Sequence, residues 1–472
     1  MIGREQEIAM LKECLQSPRP EFMVVYGRRR VGKTFLIKEF FKGEFAFYST
    51  GVAHMNTRGA LRLFNQALCD YGASDRTIPV DWFDAFSRLK ALLSNEAVRR
   101  DFGSGKRVVF LDELPWMETP KSMFKQALDY FWNSWGADQK DLLLIVCGSA
   151  TSWIISSIFK DTGGFYNRVT RKMHLLPFCL YESEQLLLSN GVHFSLRQVV
   201  ESYMIFGGIP YYLNYIRPDL SLAQNVEALV FRENGPLHYE YDQMFQSLFK
   251  NATHHKEILE VLAKKKSGMT RVELLTHKHI PQGKELTRCL QELEQCGFIR
   301  KYVDYTRRKS GHIYQLIDSF TLFNLTWLKD QPSMSWLDVI GQPGYYSWCG
   351  VSFERVCLMH MPQIKRALCI SGMTTQEYAW VSKKTIPGAQ IDMLIDRKDD
   401  VINLCEDKFT SDLYFMDAAE ERALLHKMDV FRQETGTKKA LHLTMITLYG
   451  LNHAGNWHSV VHEITGKDLM QP

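Results

Sequence analysis

The sequence predicts an α/β fold: a parallel sheet in the first 180 residues, then a helical region and a second α/β region. Strands that alternate with helices typically form a parallel sheet with helices on both faces. A glycine-rich turn joins the first apolar run to a helix through Phe40, and the second α/β pattern begins near Trp348. The apolar runs of strand length in the first region lie at 22–26, 45–48, 108–111 and 142–147.

Composition is that of an ordinary globular protein. The 472 residues are 45% hydrophobic and 23% charged, with a formal net charge of +4. Ten cysteines are scattered singly, which argues against a disulfide framework and against a zinc ribbon. We find neither a signal peptide nor an apolar stretch approaching the roughly 20 residues of a membrane span. A cytoplasmic protein without a membrane partner is therefore expected.

A phosphate-binding loop is predicted directly after the first strand. Residues 27–34 read Gly-Arg-Arg-Arg-Val-Gly-Lys-Thr and fit the pattern G-x-x-x-x-G-K-[ST]. In this motif backbone N–H groups cradle phosphates, the lysine contacts the β/γ-phosphates, and the hydroxyl ligates Mg²⁺. ATP and Mg²⁺ are the expected cofactors, the alternative being a glycine turn with a surface lysine. The expected nucleotide-binding residues of this loop are Gly27, Arg28, Arg29, Arg30, Val31, Gly32, Lys33, Thr34 and Phe35.

Two acids end the strand that begins near Arg107. We expect Asp112 to hold Mg²⁺ together with Thr34, and Glu113 to polarise the attacking water as a catalytic residue beside Lys33. The alternative is that acids at a strand end only aid solubility. Ser149 follows the next predicted strand, where it either senses the γ-phosphate or forms part of a turn.

Further motifs carry a resemblance to a known family. The chain opens on Ile2-Gly-Arg4-Glu-x-Glu7, and its helical region contains Gly207-Gly-Ile-Pro210. Together with Asp112-Glu113, Gly148-Ser149 and the segment from Asn167 to Phe178, they resemble the prokaryotic AAA+/STAND-like P-loop ATPases first noted as abundant in archaea.

The resemblance implies roles for three residues outside the loop. Arg4 would belong to the nucleotide site, Pro210 would pack on the adenine, and Arg168 would reach the γ-phosphate as a catalytic arginine. Asn167 stands where the family usually has glycine. Arg168 would act within its own subunit or across an interface, and the latter implies a homo-oligomer. The structural alternatives are a solvated arginine and a helix-breaking turn.

A basic excess is concentrated in the middle of the chain. Between His254 and Leu316 there are 13 Lys/Arg and 7 Asp/Glu, a net of +6 that leaves −2 for the remainder. Three helices and two strands joined by a basic turn predict a winged helix. Double-stranded DNA is the expected partner, although such a domain can instead dock on a nucleotide domain. The candidate contacts are Lys284, Arg288, Arg307, Arg308 and Lys309.

Carboxylates recur in the last third of the chain. Asp392 lies in one apolar strand, and Glu406-x-Lys408 ends the next, so Glu406 and Lys408 share a strand face. With Glu354 on a predicted helix, these residues resemble the active site of PD-(D/E)xK restriction-endonuclease-like folds. That resemblance implies Mg²⁺ on Asp392, Glu406 and Glu354, with Glu406 and Lys408 catalytic. The alternative is a fold that serves only binding or regulation.

These features predict four parts. They are a P-loop ATPase domain at 1–180, a helical lid at 181–250, a winged-helix domain at 251–330 and a nuclease-like domain at 331–472. The predicted function is an ATP-hydrolysing switch coupled to DNA binding, with a Mg²⁺-dependent nuclease-like tail. The second hypothesis is a regulatory ATPase whose last two domains are interaction modules without cleavage.

Overall fold

The computed structural model describes residues 1–472 except 102, 161–166, 250, 308–310, 330–333 and 383, and the side chain of Arg307. The chain forms two compact units, Met1–Leu176 and Pro177–Pro472.

The first unit is built on one parallel sheet. Its strands are β1 (Glu21–Tyr26), β2 (Phe47–Thr50), β3 (Arg107–Asp112), β4 (Leu142–Gly148) and β5 (Arg171–His174). The strand order is β2-β3-β4-β1-β5, and every pairing is parallel. The helices are α1 (Glu5–Gln16), α2 (Lys33–Phe40), α3 (Thr57–Asp70), α4 (Trp82–Leu93), α5 (Phe124–Ser134) and α6 (Thr151–Ile154). The predicted parallel α/β sheet is confirmed.

The predicted strands are continuous apolar runs because the central strands of the sheet are covered on both faces. All residues of β3 and β4 are buried, which explains their nearly continuous apolar sequence. The second strand begins two residues later than predicted. Phe45 still precedes the strand: its N–H donates to the carbonyl of Gly43 at 3.2 Å, and the next N–H donates to Val108 of β3.

The second unit begins with helices. The helical segment, residues 181–250, contains most of α7 (Leu180–Ser189), followed by α8 (Leu196–Phe206), α9 (Pro210–Leu213), α10 (Leu222–Val226) and α11 (Glu240–Leu248). The middle segment, residues 251–330, contains α12 (Thr253–Ala263), β6 (Met269–Thr270), α13 (Arg271–Leu274), α14 (Gly283–Gln295), β7 (Ile299–Val303), β8 (His312–Leu316) and α15 (Ser319–Trp327).

The middle segment follows the periodicity of its sequence. The apolar stripe of α14 is buried, and Gly297, with φ of 74°, comes directly after the residue that caps this helix. Strands β6, β8 and β7 form an antiparallel sheet in that order. Val272 is apolar but 76% exposed, because α13 is a single turn that buries only Leu274.

The C-terminal segment, residues 331–472, contains a second five-stranded sheet. Its helices are α16 (Trp336–Val339), α17 (Pro343–Met359), α18 (Met361–Ala367), α19 (Ala418–Thr435) and α20 (Gly466–Leu469). Its strands are β9 (Thr375–Val381), β10 (Gln390–Arg397), β11 (Val401–Lys408), β12 (Ala440–Thr447) and β13 (Val460–Thr465). Strands β9 to β11 pair antiparallel, and β11 to β13 pair parallel.

Candidate functional site

The loop between β1 and α2 has the backbone that its two glycines permit. Gly27 has φ of 146°, and a Cβ there would lie 2.2 Å from the carbonyl oxygen of Leu175. Gly32 has φ of 94° and caps the N-terminus of α2. Glycine is the residue that adopts such conformations at little cost. The loop therefore leads β1 directly to a helix N-terminus, whose free N–H groups and dipole favour a phosphate.

Lys33 is held by the loop that it follows. Its Nζ donates to the carbonyl oxygens of Gly27 at 2.9 Å and Arg28 at 2.8 Å, and the residue is 5% exposed. The ammonium is thus fixed over the main chain of the predicted phosphate loop, where a lysine adds a point charge to bound phosphates.

Arg4, near the N-terminus, forms a hydrogen bond with the same loop. Its guanidinium donates to the carbonyl oxygen of Val31 at 3.1 Å and lies 3.4 Å from the carboxylate of Glu7. Arg4 is itself 6% exposed. Of the other loop residues, Arg28 is buried, whereas Arg29 and Phe35 are exposed. The motif at residues 2–7 thus contacts the backbone of the loop.

Thr34 and Asp112 meet across the carboxyl edge of the sheet. The Thr34 hydroxyl lies 3.0 Å from Oδ1 and 2.9 Å from Oδ2 of Asp112 and donates to this carboxylate. Burial raises the pKa of Asp112, and hydrogen bonds from Cys147 and Thr34 oppose that shift. One hydroxyl and one carboxylate beside a phosphate loop are the hard oxygen donors that Mg²⁺ requires. These residues fit a Mg²⁺–nucleotide group.

Glu113 is held by Ser149. The Ser149 hydroxyl donates to Oε1 of Glu113 at 2.6 Å, and the Ser149 main-chain N–H donates to Oε2 at 3.2 Å. Glu113 itself has φ of 47°, so it follows β3 in a left-handed conformation that directs it toward the end of β4. The sequence pointed to both residues but not to their contact.

Asn167 adopts the conformation that glycine would have at this position. Its φ is 56°, and asparagine is one of the few residues besides glycine that tolerate this region. Arg168 next to it is exposed. Pro210 lies in the second unit, at the start of α9, and neighbouring Gly208 has φ of 66°. The roles of Arg168 and Pro210 at a nucleotide stay predictions.

A bulge in β10 decides which carboxylates of the C-terminal segment meet. The register of β10 against β9 shifts between Ile391 and Leu394, and both of these side chains pack in the core on the α19 side of the sheet. An extra residue at a bulge reverses the alternation of side chains. Asp392 therefore projects to the opposite side, where its Oδ2 and the Oε2 of Glu354 each lie 3.6 Å from Lys266 Nζ.

Glu406 and Lys408 lie on the other face. They share a strand face as predicted, with Nζ and Oε1 3.4 Å apart, but that face meets α19. Glu406 accepts from Lys427 at 2.8 Å, and Lys408 lies 2.9 Å from Glu420. The expected convergence of these two residues with Glu354 and Asp392 was wrong, because strict alternation along β10 does not hold across the bulge.

Asp407 was not predicted as a site residue; it lies between Glu406 and Lys408 on β11, and its carboxylate interacts with that of Glu354. Burial, followed by the carboxylates of Glu354, Glu406 and Asp392, raises the pKa of Asp407 well above its usual range. Across the part of the chain that the structure describes, however, no group of three or more His, Cys, Asp or Glu could hold a metal ion. The residues that the nuclease resemblance assigns to Mg²⁺ do not converge, because Glu406 contacts α19 whereas Glu354 and Asp392 both contact Lys266.

The basic residues expected to contact DNA differ in whether acidic side chains pair with them. Lys284 and Arg288 are both exposed on α14. Arg288 pairs with Glu285 and lies 3.2 Å from Glu292, and the hydrogen bond to Glu285 raises its pKa. For Arg307 only the backbone is described, and Arg308 and Lys309 lie outside the described residues.

Comparison with known proteins bears on the first part of the chain. Residues 1–216 match the family described as ATPase domains predominantly from Archaea. The N-terminal region is an ATP-binding, ATP-hydrolysing domain of this archaeal P-loop type, and that prediction is confirmed. The uncharacterized protein MJECL04 of Methanocaldococcus jannaschii is 25% identical over 335 residues, which cover 69% of this chain and 68% of the relative.

Two solved structures match over about two thirds of this chain. The Walker-type ATPase of Pyrococcus abyssi is 16% identical with a TM-score of 0.46, and the match covers 69% of this chain and 96% of that one. The Aeropyrum pernix ORC2 protein, solved with ADPNP and ADP, is 16% identical with a TM-score of 0.45, covering 68% and 92%. Within the described residues, no helix has both the length and the apolar character to cross a membrane.

Proposed function

We propose that this chain is an ATP-driven switch that couples nucleotide hydrolysis to duplex DNA binding. The contact of Thr34 with Asp112, next to the loop-bound ammonium of Lys33, is the observation that carries the proposal. It joins a phosphate-binding loop and a metal-binding carboxylate at one edge of the sheet.

The chemistry assigns a role to each of these residues. Backbone N–H groups of the loop and the Lys33 ammonium bind the β- and γ-phosphates, while Thr34 and Asp112 hold Mg²⁺. When bound, Mg²⁺ neutralises charge on the phosphate oxygens. Glu113 accepts a proton from the attacking water, and Ser149 controls where that carboxylate points. Arg168 would stabilise the γ-phosphate, from the same subunit or a neighbouring copy.

The middle segment supplies the DNA-binding part of the proposal. Three helices followed by a two-stranded hairpin fit a winged helix, in which α14 would enter the major groove. Lys284 lies on its exposed face, and the net charge of +6 over residues 254–316 favours phosphate contacts. Contact with DNA would then be salt-dependent and only weakly selective for sequence.

For the C-terminal segment the geometry favours an interaction module over a nuclease. In this segment a helix, three antiparallel strands, a helix and a parallel strand follow one another. Glu406 and Lys408, however, contact α19, and the side of the sheet that faces Glu354 has no complete metal site among the described residues.

The test of the switch compares two variants. We expect Lys33→Ala to abolish nucleotide binding, because the ammonium that contacts the phosphates is gone. We expect Glu113→Gln to bind ATP normally and lose turnover by about 10²–10⁴-fold, because an amide cannot accept the proton. Binding is measured by titration with a fluorescent ATP analogue and turnover by phosphate release. Normal hydrolysis by both variants would refute the assignment.

A further inference from the structure

The middle and C-terminal segments meet at a charged joint that the proposed switch does not use. Lys266, in the turn between α12 and β6, has its Nζ 3.6 Å from Oε2 of Glu354 on α17 and 3.6 Å from Oδ2 of Asp392 on β10. The Glu354 side chain is 3% exposed and that of Lys266 is 51% exposed. An ammonium group thus enters from the solvent side between two carboxylates that the nuclease resemblance assigns to a metal.

Hydrogen bonds from two buried side chains extend this joint. Arg355, the neighbour of Glu354, donates to the main-chain oxygens of Lys266 at 2.5 Å and Leu316 at 3.2 Å, and to Oε1 of Glu354 at 2.7 Å. Gln315 of β8 donates to the oxygen of Lys266 at 2.6 Å and to Glu354 at 3.3 Å. Arg355 and Gln315 are both buried. The turn that carries Lys266 is therefore fixed through its backbone as well as through its charge.

The same interface holds the β7–β8 hairpin, which is the wing of the proposed DNA-binding fold. Asp304, just after β7, forms a parallel bridge with Ala379 of β9. Tyr305 packs on Tyr378 and Phe431, with ring centroids 5.3 and 5.1 Å apart. A cavity of about 210 Å³ lies beside this contact. Its lining includes Lys265, Ser267, Tyr302, Asp304, Trp380 and Asp392.

We infer that the Glu354–Asp392 pair is a docking socket for Lys266, and that this socket fastens the wing hairpin to the C-terminal segment. The Lys266 ammonium lies between two carboxylates that the nuclease resemblance assigns to a divalent cation. Its charge therefore offsets theirs without a metal ion. Since an ammonium is a compact charge and Lys266 is half exposed, salt should weaken the joint. The inference needs neither ATP hydrolysis nor DNA binding, so it stands or falls separately from the proposed function.

Hydrogen exchange on the full chain tests the socket. Lys266→Met keeps the length of the side chain and removes its charge. Lys264→Met, at an exposed position two residues earlier, makes the same change of charge and serves as the matched control. We expect Lys266→Met to raise amide exchange about three- to tenfold at residues 268–270, 299–304 and 390–394, with the first unit unchanged. The control variant should match the wild type, and high salt should move the wild type toward Lys266→Met.

A double-mutant cycle gives the second measurement. If Lys266 and Asp392 act as one pair, Asp392→Asn should raise exchange in the same peptides, and the double variant should add little to either single one. Unchanged exchange in Lys266→Met, a rise spread evenly over the second unit, or fully additive effects would each overturn the socket. ATP turnover and duplex binding of the same preparations report on the proposed function independently.

Discussion

Ser149 binds both carboxylate oxygens of Glu113, with its hydroxyl 2.6 Å from Oε1 and its main-chain nitrogen 3.2 Å from Oε2. The two residues come directly after neighbouring strands, β3 and β4, of the parallel sheet. In this arrangement Ser149 occupies one acceptor site on each oxygen of the proposed base and so fixes where the carboxylate points. We therefore expect this contact to affect the proposed hydrolysis step and to leave nucleotide binding by the phosphate loop unchanged.

We expect Ser149→Ala to raise basal ATP turnover about three- to tenfold without changing ATP affinity, because the Glu113 carboxylate is then free to turn toward the attacking water. Ser149→Thr, which keeps the hydroxyl, should behave like the wild type. Phosphate release under saturating ATP gives the turnover, and equilibrium titration gives the affinity. A fall in turnover for Ser149→Ala would mean that the serine positions the base for catalysis instead of restraining it.

Two basic residues on one helix should contribute unequally to DNA binding. Lys284 is exposed on α14, whereas the guanidinium of Arg288 is shared by Glu285 and Glu292. Lys284→Gln should lower the slope of log K against log salt by about one, and Arg288→Gln should change it by much less. Fluorescence anisotropy with a labelled duplex measures both slopes. A flat salt dependence in the wild type would end the DNA-binding proposal.

The sequence predicted local features better than side-chain directions. The loop at 27–34 and the acids at the end of β3 are encoded by spacing alone, and each lies in the predicted kind of element. The placement of Asp392 is not encoded in that way. It depends on one extra residue in β10, which alternation along the strand does not reveal.

The contacts of Lys266 with Glu354 and Asp392 could not be predicted from the sequence either. Lys266 is the last of three consecutive lysines, and nothing local separates it from Lys264 and Lys265. Its partners Glu354 and Asp392 come from elements about 90 and 125 residues later. Contacts over such separations follow from how the segments pack, and periodicity within one segment carries no information about them.

A buried histidine should make the second unit sensitive to mild acid. The Nε2 of His360 accepts the N–H of Leu180 at 2.9 Å, while Nδ1 donates to the oxygen of Val356 at 2.8 Å, so the ring is neutral. Burial lowers the pKa of His360 from 6.5 to about 4. Between these values the unfolded chain binds a proton that the folded chain does not. Stability is therefore complete above the unfolded pKa and falls as the pH decreases.

We expect about 2 kcal/mol of the free energy of unfolding to be lost between about pH 7.5 and pH 5 through this residue. His360→Gln keeps a polar side chain without the titration, so its unfolding should depend less steeply on pH, although it should be less stable near neutrality. Urea unfolding followed by tryptophan fluorescence at several pH values measures the difference. Parallel curves for the two proteins would show that another group causes the pH dependence.

The predicted nuclease residues lie on opposite faces of the second sheet, and this placement leads to a prediction about DNA cleavage. Glu406 and Lys408 contact α19, and Lys266 lies between Glu354 and Asp392. Phosphodiester cleavage of the implied type needs a metal on converging carboxylates, with a lysine beside the attacking water. We therefore expect supercoiled plasmid to remain intact with Mg²⁺, with or without ATP, for the wild type and for the Asp392→Ala/Lys408→Ala double variant alike. Gel electrophoresis of nicked and linear products is the measurement.

Nicking by the wild type that the double variant loses would restore the nuclease hypothesis, since it would require the carboxylates and Lys408 to converge in a conformation opened at the socket. Nicking that persists in the double variant would place the activity elsewhere in the preparation.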